Sequence, residues 1–163
     1  MATGHNIPMG LREAYLSMHR QTNAHLVRCG VTADQFVLMI LLFEEDGITQ
    51  QELARRACSD PNTIRAMLVL LEDRGLVSRA KDPTDGRARK VTLTRKGRQV
   101  LERSLGRARS LNDRLLGLFT PEETAALAGF LSRISESMSQ LEQSHAQSRS
   151  KATACRRPAR QTH

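Results

Sequence analysis

Several things this sequence lacks narrow the reading before any motif is weighed. It holds no tryptophan, one tyrosine and four phenylalanines, so a core here has to be built from Leu, Met and Ala, which suits packed helices. Its three cysteines, Cys29, Cys58 and Cys155, are odd in number and lack paired spacing. That excludes a disulfide framework or a structural zinc site. His19 and His25 stand six apart, wrong for two ligands on one helical face. There is no Gly-rich phosphate loop after a strand, no nucleophile elbow and no metal-spaced His/Glu helix. The expectation is a chain that is not an enzyme and carries no cofactor or metal. The N-terminus lacks the cationic start and apolar run of a leader, and no stretch is long enough to span a bilayer. Those absences predict a cytoplasmic protein with no membrane partner.

Positive charge, by contrast, is plentiful. The 163 residues have a formal net charge of +8 and a pI near 10.4, which favours a polyanionic partner, nucleic acid first. The length suits a single domain's worth of core.

The informative stretch runs from Thr49 to Gly97. Thr49 and Glu52 have capping-box spacing, so a helix begins at about Gln50 with Leu53, Ala54 and Ala57 on one face. The chain breaks at Cys58-Ser59-Asp60. Asp60 is a good N-cap and Pro61 suits the first helical position, so a second helix runs to about Arg74 and stops at Gly75. Ile64, Met67, Leu68 and Leu71 point inward at helical spacing, leaving Asn62, Thr63, Arg65 and Ala66 outward. Two short helices joined by a tight turn form a helix-turn-helix, whose second helix can enter a major groove. Asn62 could pair with adenine, Arg65 with guanine, and Thr63 with either a polar edge or a thymine methyl. A solvated helix face is the plain alternative.

The segments 76–81 and 88–93 alternate like half-buried strands around the turn-forming Asp82-Pro83-Thr84-Asp85-Gly86. From Val77 to Arg98 there are eight cations against Asp82 and Asp85 alone. A basic hairpin after such a helix reads as a wing, with Arg87 placed for a minor groove and its neighbours, among them Arg89 and Lys90, for phosphates.

The run from Leu53 to Gly97 resembles the core of the MarR family of bacterial transcriptional regulators. The likeness is carried by Leu70-Leu71-Glu72-Asp73-Arg74-Gly75-Leu76-Val77 and, more specifically, by Asp85-Gly86-Arg87-Ala88-Arg89-Lys90-Val91-Thr92-Leu93-Thr94. It extends more weakly over residues 7 to 143. The resemblance implies a homodimer with one winged helix per subunit, and an Asp-x-Arg in the wing, matched by Asp85 and Arg87, that puts an arginine at the minor groove. It also implies a small phenolic or carboxylate effector between dimerisation helices and winged helix, where Tyr15, His19 and Phe36 are candidates by position. Core packing accounts for Tyr15 and Phe36 equally well. Family members that sense peroxide carry a Cys near the start of the first helix, and none stands there here.

Around this centre, residues 1 to 8 read as a loose arm. A helix from about Met9 to Cys29 follows, with Leu11, Tyr15, Met18, Thr22 and His25 or Leu26 in its stripe. Thr32 and Gln35 open the next helix with another capping box, and its stripe is Phe36, Met39, Ile40 and Phe43. Ile48 begins a short strand beside the wing. Thr94 caps a long helix whose seam is Leu101, Leu105, Ala108, Leu111 or Asn112, Leu115 and Phe119. Thr120-Pro121-Glu122-Glu123 starts a last one, striped by Leu127, Phe130, Leu131, Ile134, Met138 and Leu141. Such seams need a partner surface, which a second copy supplies. From Ser144 onward no acidic residue occurs, and the composition predicts a disordered basic tail.

The expected architecture is mainly α: a winged helix-turn-helix with a small β-hairpin wing, flanked by N- and C-terminal helices forming a dimerisation domain. Its divisions are an arm and dimerisation helix over 1–30, the DNA-binding domain over 31–97, C-terminal dimerisation helices over 98–143 and the tail over 144–163. The expected partners are double-stranded DNA at an inverted repeat, a second copy, and a small aromatic or carboxylate effector acting on a repressor. Two other readings stay open, a nucleoid-type coating protein and a winged helix that binds protein.

Overall fold

The computed structural model describes residues 6–81 and 89–155. The wing tip, with Asp85 and Arg87, lies outside the described residues, as do residues 1–5 and 156–163. The chain divides into two units, at the boundary between Arg114 and Leu115.

The first unit holds the winged helix. Helix α1 (Asn6–Leu26) passes into a 3-10 turn at Val27–Cys29, and Gly30 closes it with φ of 71°, donating its N–H to Val27 O. The arm expected over 1–8 is therefore helical from Asn6. Pro8 falls in the first turn, where a missing N–H breaks no intrahelical bond. Helix α2 (Ala33–Glu44) starts at the complete capping box of Thr32 and Gln35. Strand β1 (Ile48–Thr49) leads into α3 (Gln50–Arg56), followed by α4 (Pro61–Asp73). Strands β2 (Val77–Lys81) and β3 (Arg89–Leu93) form the wing, and α5 (Arg95–Leu116) leaves it. The antiparallel sheet has the order β1-β3-β2, with Ile48 opposite Val91 and Val77 opposite Leu93.

These elements share one core. Leu26, Leu38, Met39, Leu42, Leu53, Ile64, Leu68, Leu71, Leu76, Val91 and Leu101 are almost fully buried. Two expected stripes hold in part, with Phe36 and Met39 of α2 and Leu101 of α5 in the core. On α2, Phe43 is exposed beneath the Arg98 guanidinium, 6.0 Å from its ring centre, whereas Leu38 and Leu42 take the inward places. On α5, the buried face is Gly97, Val100, Leu101 and Ser104, and Leu105 points out. Gly97 permits a close approach: a Cβ there would stand 2.0 Å from the Leu76 carbonyl oxygen, so the first turn of α5 lies against the backbone just before β2. Ser104 is tolerated in the core because its hydroxyl donates to Val100 O at 2.8 Å.

The second unit is α6 (Pro121–Cys155), started by the reciprocal capping box of Thr120 and Glu123. Its helix continues through the stretch from Ser144 to Cys155, which was expected to be disordered. No Pro or Gly interrupts the chain there, and the first breaker is Pro158. The expected stripe Leu127, Phe130, Leu131, Ile134, Met138 and Leu141 is solvent-exposed along α6. Leu11, Tyr15 and Met18 on α1 are exposed too. Among the described residues no single helix is long and apolar enough to cross a membrane.

Candidate nucleic-acid interface

The N-terminus of α4 is set by its cap. The Asp60 side chain accepts the N–H groups of Asn62 at 3.0 Å and Thr63 at 2.9 Å, and the Thr63 hydroxyl donates to its other oxygen. These bonds, with the hydroxyl first, hold the Asp60 carboxyl below its ordinary value. Pro61 occupies the first turn. As a result Asn62, Thr63, Arg65 and Ala66 all stand on the exposed face, opposite the buried Ile64, Leu68 and Leu71. Arg65 has no ion-pair partner among the described residues. Thr63 has committed its proton to Asp60 and keeps its methyl and an acceptor for a partner.

The turn before α4 is tight. Cys58 takes a left-handed φ of 48°, its N–H donates to Arg55 O, and Ser59 N–H returns to Ala54 O. Thr49 caps α3 as expected through the Glu52 N–H at 3.1 Å. The reciprocal half of that box is absent, because the Glu52 carboxylate accepts from Arg55 at 2.7 and 2.8 Å and from Arg56 at 2.9 Å. Charged donors displace a neutral backbone N–H in that competition. The two guanidiniums hold the Glu52 carboxyl at about 2. Arg56 also reaches Glu45, which ties α3 to the end of α2.

The wing's cations are not equivalent. Arg79 is only 12% exposed and pairs with Glu72 of α4. Arg98 pairs with Asp46 at 2.6 Å, and Lys96 donates to Arg74 O at 2.7 Å. These three hold the winged helix together. Lys81 and Arg89 are exposed and directly opposite in register. Like charges facing across a strand pair are unfavourable without an anion between them. Lys90 is half-buried on the other face of β3.

The residues proposed for an effector separate. The Tyr15 and His19 rings lie 5.6 Å apart, tilted by 37°, and His19 bonds Asp34 at 3.2 Å and Asn23 at 3.1 Å, joining α1 to α2. Phe36 is buried in the core cluster. The clefts flanking α1 instead lie between its C-terminal turn and α5, lined by Arg28, Cys29, Arg103, Gly106 and Arg107. No metal-binding cluster of His, Cys, Asp or Glu occurs among the described residues.

Comparison with known proteins agrees with this geometry. Residues 31–88 match the model of the MarR family. The HTH-type transcriptional repressor Rv2887 of Mycobacterium tuberculosis is 30% identical over 114 residues, spanning 70% of this chain and 82% of its own. The transcriptional regulator HosA of Escherichia coli is 36% identical over 93 residues, covering 57% and 69%. Among solved structures, the transcriptional repressor CouR bound to a 23-mer DNA duplex superposes with a TM-score of 0.72 at 28% identity, covering 83% of this chain and 98% of that one. CouR from Rhodococcus jostii bound to p-coumaroyl-CoA gives a TM-score of 0.73 at 25% identity, with coverages of 79% and 91%.

Proposed function

We infer, from the premise that this chain belongs to the MarR family of winged helix-turn-helix transcriptional regulators, that it is a dimeric repressor released from an inverted-repeat operator by a small-molecule effector. Its role is regulatory rather than enzymatic. The observation that carries the reading is the exposed set Asn62, Thr63, Arg65 and Ala66 on the capped end of α4, together with the exposed cations Lys81 and Arg89, opposite each other in the wing strands. Base edges fall to the first group and phosphates to the second. Asp85 and Arg87 belong to the same wing by sequence, with Arg87 the minor-groove arginine. Lys90 joins Arg89 as a phosphate contact.

Dimerisation falls to residues 1–30 and 98–143, where the exposed apolar side chains include Leu11, Tyr15 and Met18 on α1 and Leu127, Phe130 and Leu131 on α6. A two-fold dimer presents two α4 helices to half-sites about one helical turn apart. CouR's complexes with DNA and with p-coumaroyl-CoA support two parts of the proposal, DNA binding and small-molecule binding.

Selection of bound sequences from random duplexes, at near-physiological salt, tests this. An inverted repeat preferred over random DNA by at least about a thousandfold is expected. A pool that stays random with high affinity would make it a coating protein, and no retention would make it a protein-interaction module.

A further inference from the structure

Between the 3-10 turn after α1 and the middle of α5 lies a cleft of about 330 Å³ lined by Arg28, Cys29, Arg103, Gly106 and Arg107. It adjoins a second space of about 440 Å³ that shares Arg28, Gly106 and Arg107 and adds His25 and Ser110. Arg103, Gly106, Arg107 and Ser110 follow helical spacing and so share one face of α5. None of the three arginines has an ion-pair partner among the described residues. Three arginines line one cleft that has no acidic residue in its lining, which makes it a site of positive potential suited to an anion of two or more charges. Gly106 leaves the floor bare, since a Cβ there would meet nothing within 4 Å. A glycine inside a helix is unfavourable relative to alanine, and nothing packed around it among the described residues requires it.

The cleft lies away from the DNA-reading end of α4. Its Cys29 precedes Gly30, whose carbonyl accepts from the Arg74 guanidinium, and Arg74 is the C-cap of α4. The reading residues begin at Asn62, about 18 Å of helix away. Lys96, on the first turn of α5, holds the Arg74 carbonyl. The two segments that carry the cleft are thus each hydrogen-bonded to the trailing end of the recognition helix, one at Gly30 beside Cys29 and the other at Lys96, about two turns before Arg103.

We propose that this arginine-lined cleft binds a small polyanion, a phosphorylated or polycarboxylate compound, and passes its occupancy to α4 through Gly30 and Arg74. The proposal rests on the effector-controlled repressor reading, and gives that effector its charge class and place. The ligand's anionic groups engage Arg28, Arg103 and Arg107, drawing the 3-10 turn toward α5. Gly30 moves with the turn, and Arg74 carries the displacement to the recognition helix.

The test is calorimetric titration of the full chain with inorganic pyrophosphate and with citrate, at matched ionic strength, together with operator affinity in their presence. Saturable binding of one anion per chain is expected, weakened at least about tenfold in the double variant Arg103→Gln/Arg107→Gln. It should be unchanged in Arg65→Gln/Arg89→Gln, which reports the DNA face. Gly106→Leu should block the site while leaving the helix intact. Binding that survives Arg103→Gln/Arg107→Gln, disappears only with the DNA-face pair, or does not saturate for either probe overturns the site. If these cleft variants turn the dimer into a monomer, the cleft is a subunit interface and the proposal fails. Anion binding that leaves operator affinity unaltered overturns the coupling through Arg74 but not the site. Operator affinity measured without anion stands apart from all of these and tests the repressor reading itself.

Discussion

Arg79 on β2 reaches back to Glu72 on α4, its Nε 2.8 Å from Glu72 Oε2 and its Nη2 on the same oxygen. The contact joins the wing to the recognition helix, so the angle between the two DNA-contacting elements depends on it. Arg79→Ala should cost about 1–2 kcal/mol of stability, through the lost charged hydrogen bonds and the packed stem of the side chain. The Arg79 guanidinium holds the Glu72 carboxyl below its usual 4.5. Because the folded-state value is the lower one, this contribution is complete above about 4.5 and is lost as pH falls through the folded value. Urea midpoints taken against pH should show a shallower acid limb for Glu72→Gln than for the native chain; parallel limbs would mean the pair adds no pH-dependent stability.

Removing the cap at Asp60 should be felt in both stability and recognition. Asp60→Ala strips two backbone N–H groups and the Thr63 hydroxyl of their acceptor, at about 1 kcal/mol. Asp60→Asn should restore most of it. Thermal melts of the three proteins decide the matter, and equal melting temperatures would show that solvent caps the helix equally well.

At Gly97 the steric argument is severe. Gly97→Ala puts a methyl against the Leu76 carbonyl and should destabilise by about 3 kcal/mol. Gly106→Ala, with open space around it, should instead stabilise by about 0.5–1 kcal/mol. Chemical denaturation of the pair reads the contrast directly.

Base reading and phosphate holding have different signatures. Arg65→Ala should relax preference at one position of the operator, costing about 1–3 kcal/mol at the best site. Arg89→Ala should weaken all sequences alike and reduce the salt slope by about 1, and Arg87→Ala should weaken most sequences in the same way. Binding isotherms on a panel of single-base operator variants, at several salt concentrations, separate them. If Arg65→Ala lowers every affinity equally, Arg65 is a phosphate contact.

The exposed stripe of α6 predicts its own partner. Phe130→Glu, which places a charge amid Leu127, Leu131 and Ile134, should shift the chain from dimer to monomer in sedimentation velocity. A dimer that persists at micromolar concentration would move the interface away from this face.

Much of the winged helix was legible in the chain itself, because its signals are short. Thr32 and Gln35 box the start of α2 within three residues, Asp60 and Pro61 start α4, and Gly75 ends it at φ of 66°. Ile48 was readable as a strand since only the wing could pair with it, as it does through Val91. The outward set on α4 followed from 3.6-residue periodicity alone.

Where local rules leave a choice between partners, the sequence was silent. Capping spacing at Thr49 and Glu52 was right, yet Arg55 and Arg56 took the Glu52 carboxylate, because nearby guanidiniums are stronger donors than a backbone N–H. Counting charges in the wing did not separate Arg79, Lys96 and Arg98, spent on internal contacts, from Lys81 and Arg89, left facing each other. Tyr15, His19 and Phe36 looked equivalent by position, but His19 joined Asp34 while Phe36 entered the core. The sequence by itself determined the order of elements, their caps and the face of α4 that meets solvent, since each depends on residues a turn or less apart. The close approach of α5 at Gly97, the division of labour among cations and the arginine cleft were decided by the tertiary structure alone. Each depends on a contact between residues far apart in the chain, as when Gly97 admits the Leu76 backbone against the first turn of α5.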